Sequence, residues 1–189
     1  MKYKHIFGPV PSRRLGISAG VDLVPYKTCS LNCVYCECGA TNNLTIKRKE
    51  YVPTKEVKNE LKDFLNSNPE LDYITFSGSG EPTLHNKLGD VANFIKKNYP
   101  QYDIALLTNG TLFYKYENLY NEIKNIDLVI PSLDAVSQKI FEKINRGLDN
   151  LNNKEIISGL VKLRKKYEGK IWLEIFFIPG INDTPDEIQ

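Results

Sequence analysis

All four cysteines of the chain fall between positions 29 and 38. Cys29, Cys33 and Cys36 follow the spacing C-x3-C-x2-C, and Cys38 comes two residues later. Disulfides among such close neighbours would close only tiny loops and remove little entropy from the unfolded chain. The cluster therefore points to metal ligation or redox chemistry. Thiolates on one short loop suit an iron–sulfur cube, which usually takes four cysteines. Three cysteines would leave one iron open to a further ligand, as a catalytic zinc site keeps an open position. A zinc site and unligated thiols stand as the alternatives. Cys38 reads as a bystander thiol.

Loops that carry chemistry need elements to hold them, and the chain alternates strand and helix patterns. Strands are expected over 17–24, 73–76, 104–107, 128–130 and 171–178, the last being the most apolar. Between them lie helical stripes. One is Val57, Leu61, Phe64 and Leu65, with Thr54 as its cap, and a second is Leu88, Val91, Ala92 and Ile95. Tyr116, Leu119, Tyr120 and Ile123 form a third, followed by a short helix at 140–144 and a longer one through Ile156, Leu160 and Leu163. This rhythm implies parallel strands with outer helices, an α/β fold. Polar or glycine-rich clusters follow the strand ends: the cysteine loop, Ser77–Pro82, Thr108–Gly110, Ser132–Asp134 and Gly180–Asp183. That edge carries the active site in α/β barrels and open sheets. Thr184, Pro185 and Glu187 form a helix-start signal close to Gln189.

Composition bounds the class. The 189 residues are 41% hydrophobic and carry a net charge of +2, which fits one domain over 1–189 and argues against disorder. The near balance of charge gives no electrostatic footprint for nucleic acid or an anionic membrane. No apolar run reaches the roughly 18 residues of a membrane span, and the N-terminus lacks the pattern of a secretory signal, so a cytoplasmic protein is expected.

The cysteine spacing with Tyr35 just before Cys36 resembles the cluster motif of the radical S-adenosylmethionine (radical SAM) enzymes. A second match comes at the end of the next strand. Gly78, Ser79, Gly80, Glu81 and Pro82, with Thr83 and Leu84 after them, resemble the family's Gly-Gly-Glu-Pro motif, Ser79 interrupting the glycine pair. The stretch from Gly8 to Gly16, and Asp22 to Lys27, resemble a narrower branch of iron–sulfur oxidoreductases related to the wyosine-base tRNA enzymes. The resemblance implies a partial (β/α) barrel, here without its last unit. It implies a [4Fe-4S] cluster on Cys29, Cys33 and Cys36, with S-adenosylmethionine on the open iron. The reduced cluster would cleave the cofactor to a 5′-deoxyadenosyl radical that takes hydrogen from a substrate. It also implies an electron donor such as a ferredoxin or flavodoxin.

By the same resemblance, carbonyls of Gly78–Pro82 would face the methionine ammonium, and Glu81 would add a hydrogen bond or order the turn. Ser132 and Asp134 would accept from ribose hydroxyls, with Thr108 and Asn109 facing the same cavity. Gly180 to Asn182 would lie near the adenosine. Glu174, between Trp172 and Phe176, is expected either to line the cavity or to form a salt bridge. Arg13 and Arg14 read as a solvated or ion-paired couple ahead of a phosphate contact. His5 and His85 receive no catalytic role. A tRNA-modifying enzyme and a non-catalytic electron carrier are the competing functions. The substrate is not legible.

Overall fold

A computed structural model describes residues 2–188. Its main sheet has six strands: β1 (Ile6–Ser12), β2 (Gly16–Val21), β5 (Tyr73–Phe76), β6 (Asp103–Thr108), β7 (Leu128–Pro131) and β8 (Lys170–Ile171), in the order β1-β2-β5-β6-β7-β8. From β2 onward all pairs are parallel, while β1 runs antiparallel to β2. The short strands β3 (Thr28–Cys29) and β4 (Asn43–Leu44) pair within the cysteine loop. The sheet does not close, so this is a partial barrel of parallel strands with an antiparallel rim.

Alternation along the strands decides what each face touches. Ile74, Phe76, Ile104, Leu106 and Val129 point outward and pack with helices α1 (Thr54–Leu65) and α2 (Leu88–Asn98) in the main core. Ala105, Leu128 and Ile130 point inward, where Leu15 from the β1–β2 turn packs on them. The hairpin tip thus reaches into the barrel and covers part of its concave side.

Three departures from the sequence reading have physical causes. Strand β1 lies outside the strands the sequence reading expected, and its Pro9 and Pro11 would not suit a central ladder. At a rim they are tolerated, and the register shifts between Phe7 and Val10. The apolar run 171–178 is strand only at its start. Hydrogen bonds from Trp172 and Glu174 to Val129 and Pro131 carry it along β7, and it then leaves. With one neighbour, Leu173, Ile175 and Phe177 stay about half exposed. Thr54 does not cap α1: Pro53 holds the cap position, and the Thr54 N–H is taken by Glu50 at 2.8 Å.

The remaining helices are α3 (Leu119–Glu122), shorter than its stripe suggests, then α4 (Gln138–Ile144), α5 (Asn153–Lys166) and α6 (Pro185–Ile188). Among the described residues no helix is long and apolar enough to cross a membrane.

Candidate iron–sulfur and cofactor site

The cysteine loop is fixed from two sides. On one side it hydrogen-bonds the glycine turn after β5: Lys27 N–H donates to Ser79 O at 2.9 Å, and Glu81 N–H to Thr28 O at 3.0 Å. On the other it lies on the end of α4, where Asn32 and Val34 N–H donate to the carbonyls of Asn145 and Ile144 at 2.9 Å. The loop therefore inherits its shape from elements far away in sequence.

Each of the three sulfurs is met by an N–H donor. Cys29 Sγ accepts from Asn109 Nδ2 at 3.4 Å and from Leu31 N at 3.5 Å. Cys33 Sγ accepts from Asn145 Nδ2 at 3.4 Å. Cys36 Sγ accepts from Lys27 Nζ at 3.0 Å. All four cysteines are free thiols of intermediate exposure. Burial pushes the Cys29 thiol up to about 12, with the Glu81 charge adding to it, and burial also raises Cys33. Left alone these groups would stay protonated, yet their surroundings supply donors suited to thiolates. Binding to iron would resolve the conflict, because a coordinating thiol is deprotonated outright. Among the described residues no three Cys, His, Asp or Glu converge on a single metal ion. Three cysteine sulfurs on one loop, each with an N–H donor, are the donor set that an iron–sulfur cluster takes.

The glycine turn is built around carboxylates. Both Glu81 oxygens are occupied: one accepts from Thr83 N, Thr83 Oγ1 and Thr108 Oγ1 at 3.0, 2.5 and 2.7 Å, and the other accepts from Asn109 N at 2.7 Å. Asp22, at the end of β2, accepts from Ser79 N and Oγ at 3.0 and 2.6 Å. A Cβ on Gly78 would fall 2.4 Å from the Asp22 carboxylate, and one on Gly80 would fall 2.1 Å from Thr28 O. These glycines first of all let the chain approach itself.

Asp134 is likewise engaged. It accepts from Tyr35 OH at 2.5 Å, Asn145 Nδ2 at 2.7 Å and Phe176 N at 2.9 Å. Tyr35 also stacks on Phe176, with centroids 4.2 Å apart. Asn182 donates to the Asp134 and Phe176 carbonyls, both at 2.8 Å, and so holds the last loop over the same spot. The Thr108 hydroxyl serves Glu81, and the Asn109 side chain serves Cys29, Ser30 and Thr111. Only the Ser132 hydroxyl, in a small pocket with Cys33, Asn109 and Asp134, has no partner among the described residues.

Beside this lies an open cavity of about 1030 Å³ across the concave face, lined by Arg13, Arg14, Tyr35, Cys36, Gly78 and Phe176 among others. Cys38 also borders it. Glu174 takes both of its expected roles, lining the cavity and pairing with Arg14 at 2.6 Å. His85 is fully buried, its Nδ1 accepting from Tyr51 N at 3.1 Å, and His5 faces Glu56 on α1 at 3.9 Å. Sequence reasoning missed Lys27, Asn145 and Asp22 as supports of the site. Lys27 and Asp22 stood close before the first cysteine, but nothing local marked Asn145.

The radical SAM superfamily model matches residues 23–188, and the chain belongs to that superfamily. Its members use a [4Fe-4S] cluster and S-adenosylmethionine. The chain is 37% identical over 186 residues to a UPF0026 protein of Methanocaldococcus jannaschii, covering 96% of this chain and 56% of that protein. It is 40% identical over 189 residues to a Brachyspira hyodysenteriae protein named GTPase Obg, covering 100% of this chain but only 28% of that protein. The chain thus spans well under two thirds of these relatives. Among solved structures, TYW1 with a lysine-pyruvate adduct superposes with a TM-score of 0.61 at 20% identity, over 88% of this chain and 57% of that one, a likeness of fold.

Proposed function

We propose that residues 1–189 form one radical SAM core unit in which Cys29, Cys33 and Cys36 hold a [4Fe-4S] cluster with one iron open to S-adenosylmethionine. A reduced cluster of this kind supplies a single electron, which splits S-adenosylmethionine into methionine and a hydrogen-abstracting 5′-deoxyadenosyl radical. The observation that carries the reading is that each of the three sulfurs has its own N–H donor, on a loop hydrogen-bonded to the glycine turn, with Cys36 and Gly78 lining the large cavity.

The chain's residues divide the remaining work. Gly78 and the Ser132 hydroxyl are the groups left free to contact the cofactor. Glu81, Thr108, Asn109 and Asp134 act behind them by fixing the turn, the sulfurs and Tyr35. The stacked Tyr35 and Phe176 wall off part of the cavity, which keeps water from a reactive site. The substrate enters that cavity, and a small electron carrier such as a ferredoxin or flavodoxin supplies the electron. Four free thiols suit a reducing, cytoplasmic setting. A tRNA substrate is the finer alternative, supported by the fold likeness to TYW1 and opposed by the net charge of +2.

Anaerobic reconstitution followed by dithionite and S-adenosylmethionine tests the proposal. Iron should reach about four atoms per chain, and 5′-deoxyadenosine should form. Cys33→Ala should lose the iron and Cys38→Ala should keep it. Undiminished iron in Cys33→Ala, or an iron-loaded protein that yields no 5′-deoxyadenosine, would overturn it.

A further inference from the structure

Lys27 is only 2% exposed, an unusual place for an ammonium group. Its Nζ has one hydrogen-bond partner among the described residues, Cys36 Sγ at 3.0 Å. A buried cation without a lasting counter-charge is costly, and a protonated thiol offers none.

The backbone adds a second, independent observation. Lys27 has φ 55, in the left-handed region. Such a conformation is strained for a non-glycine residue, and glycine is its usual occupant. Both sides of the residue are pinned. Its N–H donates to Ser79 O at 2.9 Å, and its carbonyl accepts from Asn42 and Asn43 N–H at 3.1 Å. Glycine would satisfy all of these backbone bonds. What lysine adds is a cation delivered to the sulfurs.

From this we infer that Lys27 is a positioning residue that orients the Cys36 thiolate and sets the reduction potential of the centre it helps to bind. The inference rests on the iron–sulfur reading above. Hydrogen bonds to cluster sulfurs and the local charge are recognised levers on cluster potential. A fixed positive charge at 3.0 Å from a ligand sulfur offsets the negative charge that reduction adds, and so raises the potential. Lys27 would thus bring a low-potential centre within reach of a small biological reductant, without touching substrate or cofactor.

The test compares wild type, Lys27→Gln and Lys27→Arg after anaerobic reconstitution, by iron content, far-UV circular dichroism and an EPR-monitored redox titration. Lys27→Gln should keep its fold and its iron and show a tenfold smaller reduced-to-oxidised ratio at fixed poise, a midpoint lower by about 59 mV. Lys27→Arg should stay near wild type. Equal midpoints for loaded Lys27→Gln and wild type would overturn the inference, as would loss of the fold in Lys27→Gln, which would make Lys27 a packing residue. If Lys27→Gln folds but holds no iron, iron retained by Lys27→Arg supports the role of charge, and iron lost from both overturns it. Absence of iron from the wild type would instead sink the iron–sulfur reading itself.

Discussion

Glu81 and His85 stand four residues apart, and each is a titratable group used for construction. Glu81 knots the turn to the end of β6 through Thr108 and Asn109. His85 accepts from Tyr51 N–H and contacts Thr54 Oγ1 at 3.3 Å, tying the segment before α1 to the turn after β5. Burial pushes the His85 imidazole down to about 4 from its ordinary 6.5. The unfolded chain therefore takes up the proton first as pH falls. The stability this residue supplies is complete above pH 6.5 and is lost progressively down to about pH 4. A shift of that size corresponds to about 3 kcal/mol. Urea unfolding at pH 7 and pH 4.5 should show this loss in the wild type and a shallower one in His85→Gln. Identical losses in the two proteins would place the pH dependence elsewhere.

Between the glycine turn and the cysteine loop, contact is so close that one methyl group decides it. Gly80→Ala would place its Cβ against Thr28 O, a backbone atom that cannot swing away. The expected cost is about 1–3 kcal/mol, with a matching drop in bound iron, because the displaced segment carries Cys29. Wild-type iron and an unchanged unfolding midpoint in Gly80→Ala would contradict this. At this scale the sequence was readable wherever a pattern was local. Tyr73–Phe76 and Leu128–Ile130 show as strands because short apolar β-rich runs end in breakers, and the cysteines and glycine turn show because their chemistry is compact. What escaped was set by the neighbours that tertiary structure supplies. Strand β1 is allowed by its rim position despite two prolines, and the run 172–178 loses strand character for want of a second neighbour. Asn145 reaches Cys33 across 112 residues of chain, a distance that no spacing rule spans.

Across the molecule, the two sheet rims come together at the concave side. Arg14, beside β2, pairs with Glu174, beyond β8, although the six strands order them at opposite ends. The guanidinium is 51% exposed and the carboxylate 36%, so solvent screens the pair. A double-mutant cycle with Arg14→Ala and Glu174→Ala should give a coupling below about 1 kcal/mol. A markedly larger value would mean that this pair, and not the packing of Leu15, holds the tip in place. Leu15 is 5% exposed and rests on Ala105, Leu128 and Ile130. One wall of the chamber, Ser12 to Arg14, therefore hangs from a short turn at one rim, while Leu107 of β6 and Cys36 line it elsewhere. Inserting or deleting a residue in that turn would reshape one side of the chamber without lengthening or shortening any of the parallel strands.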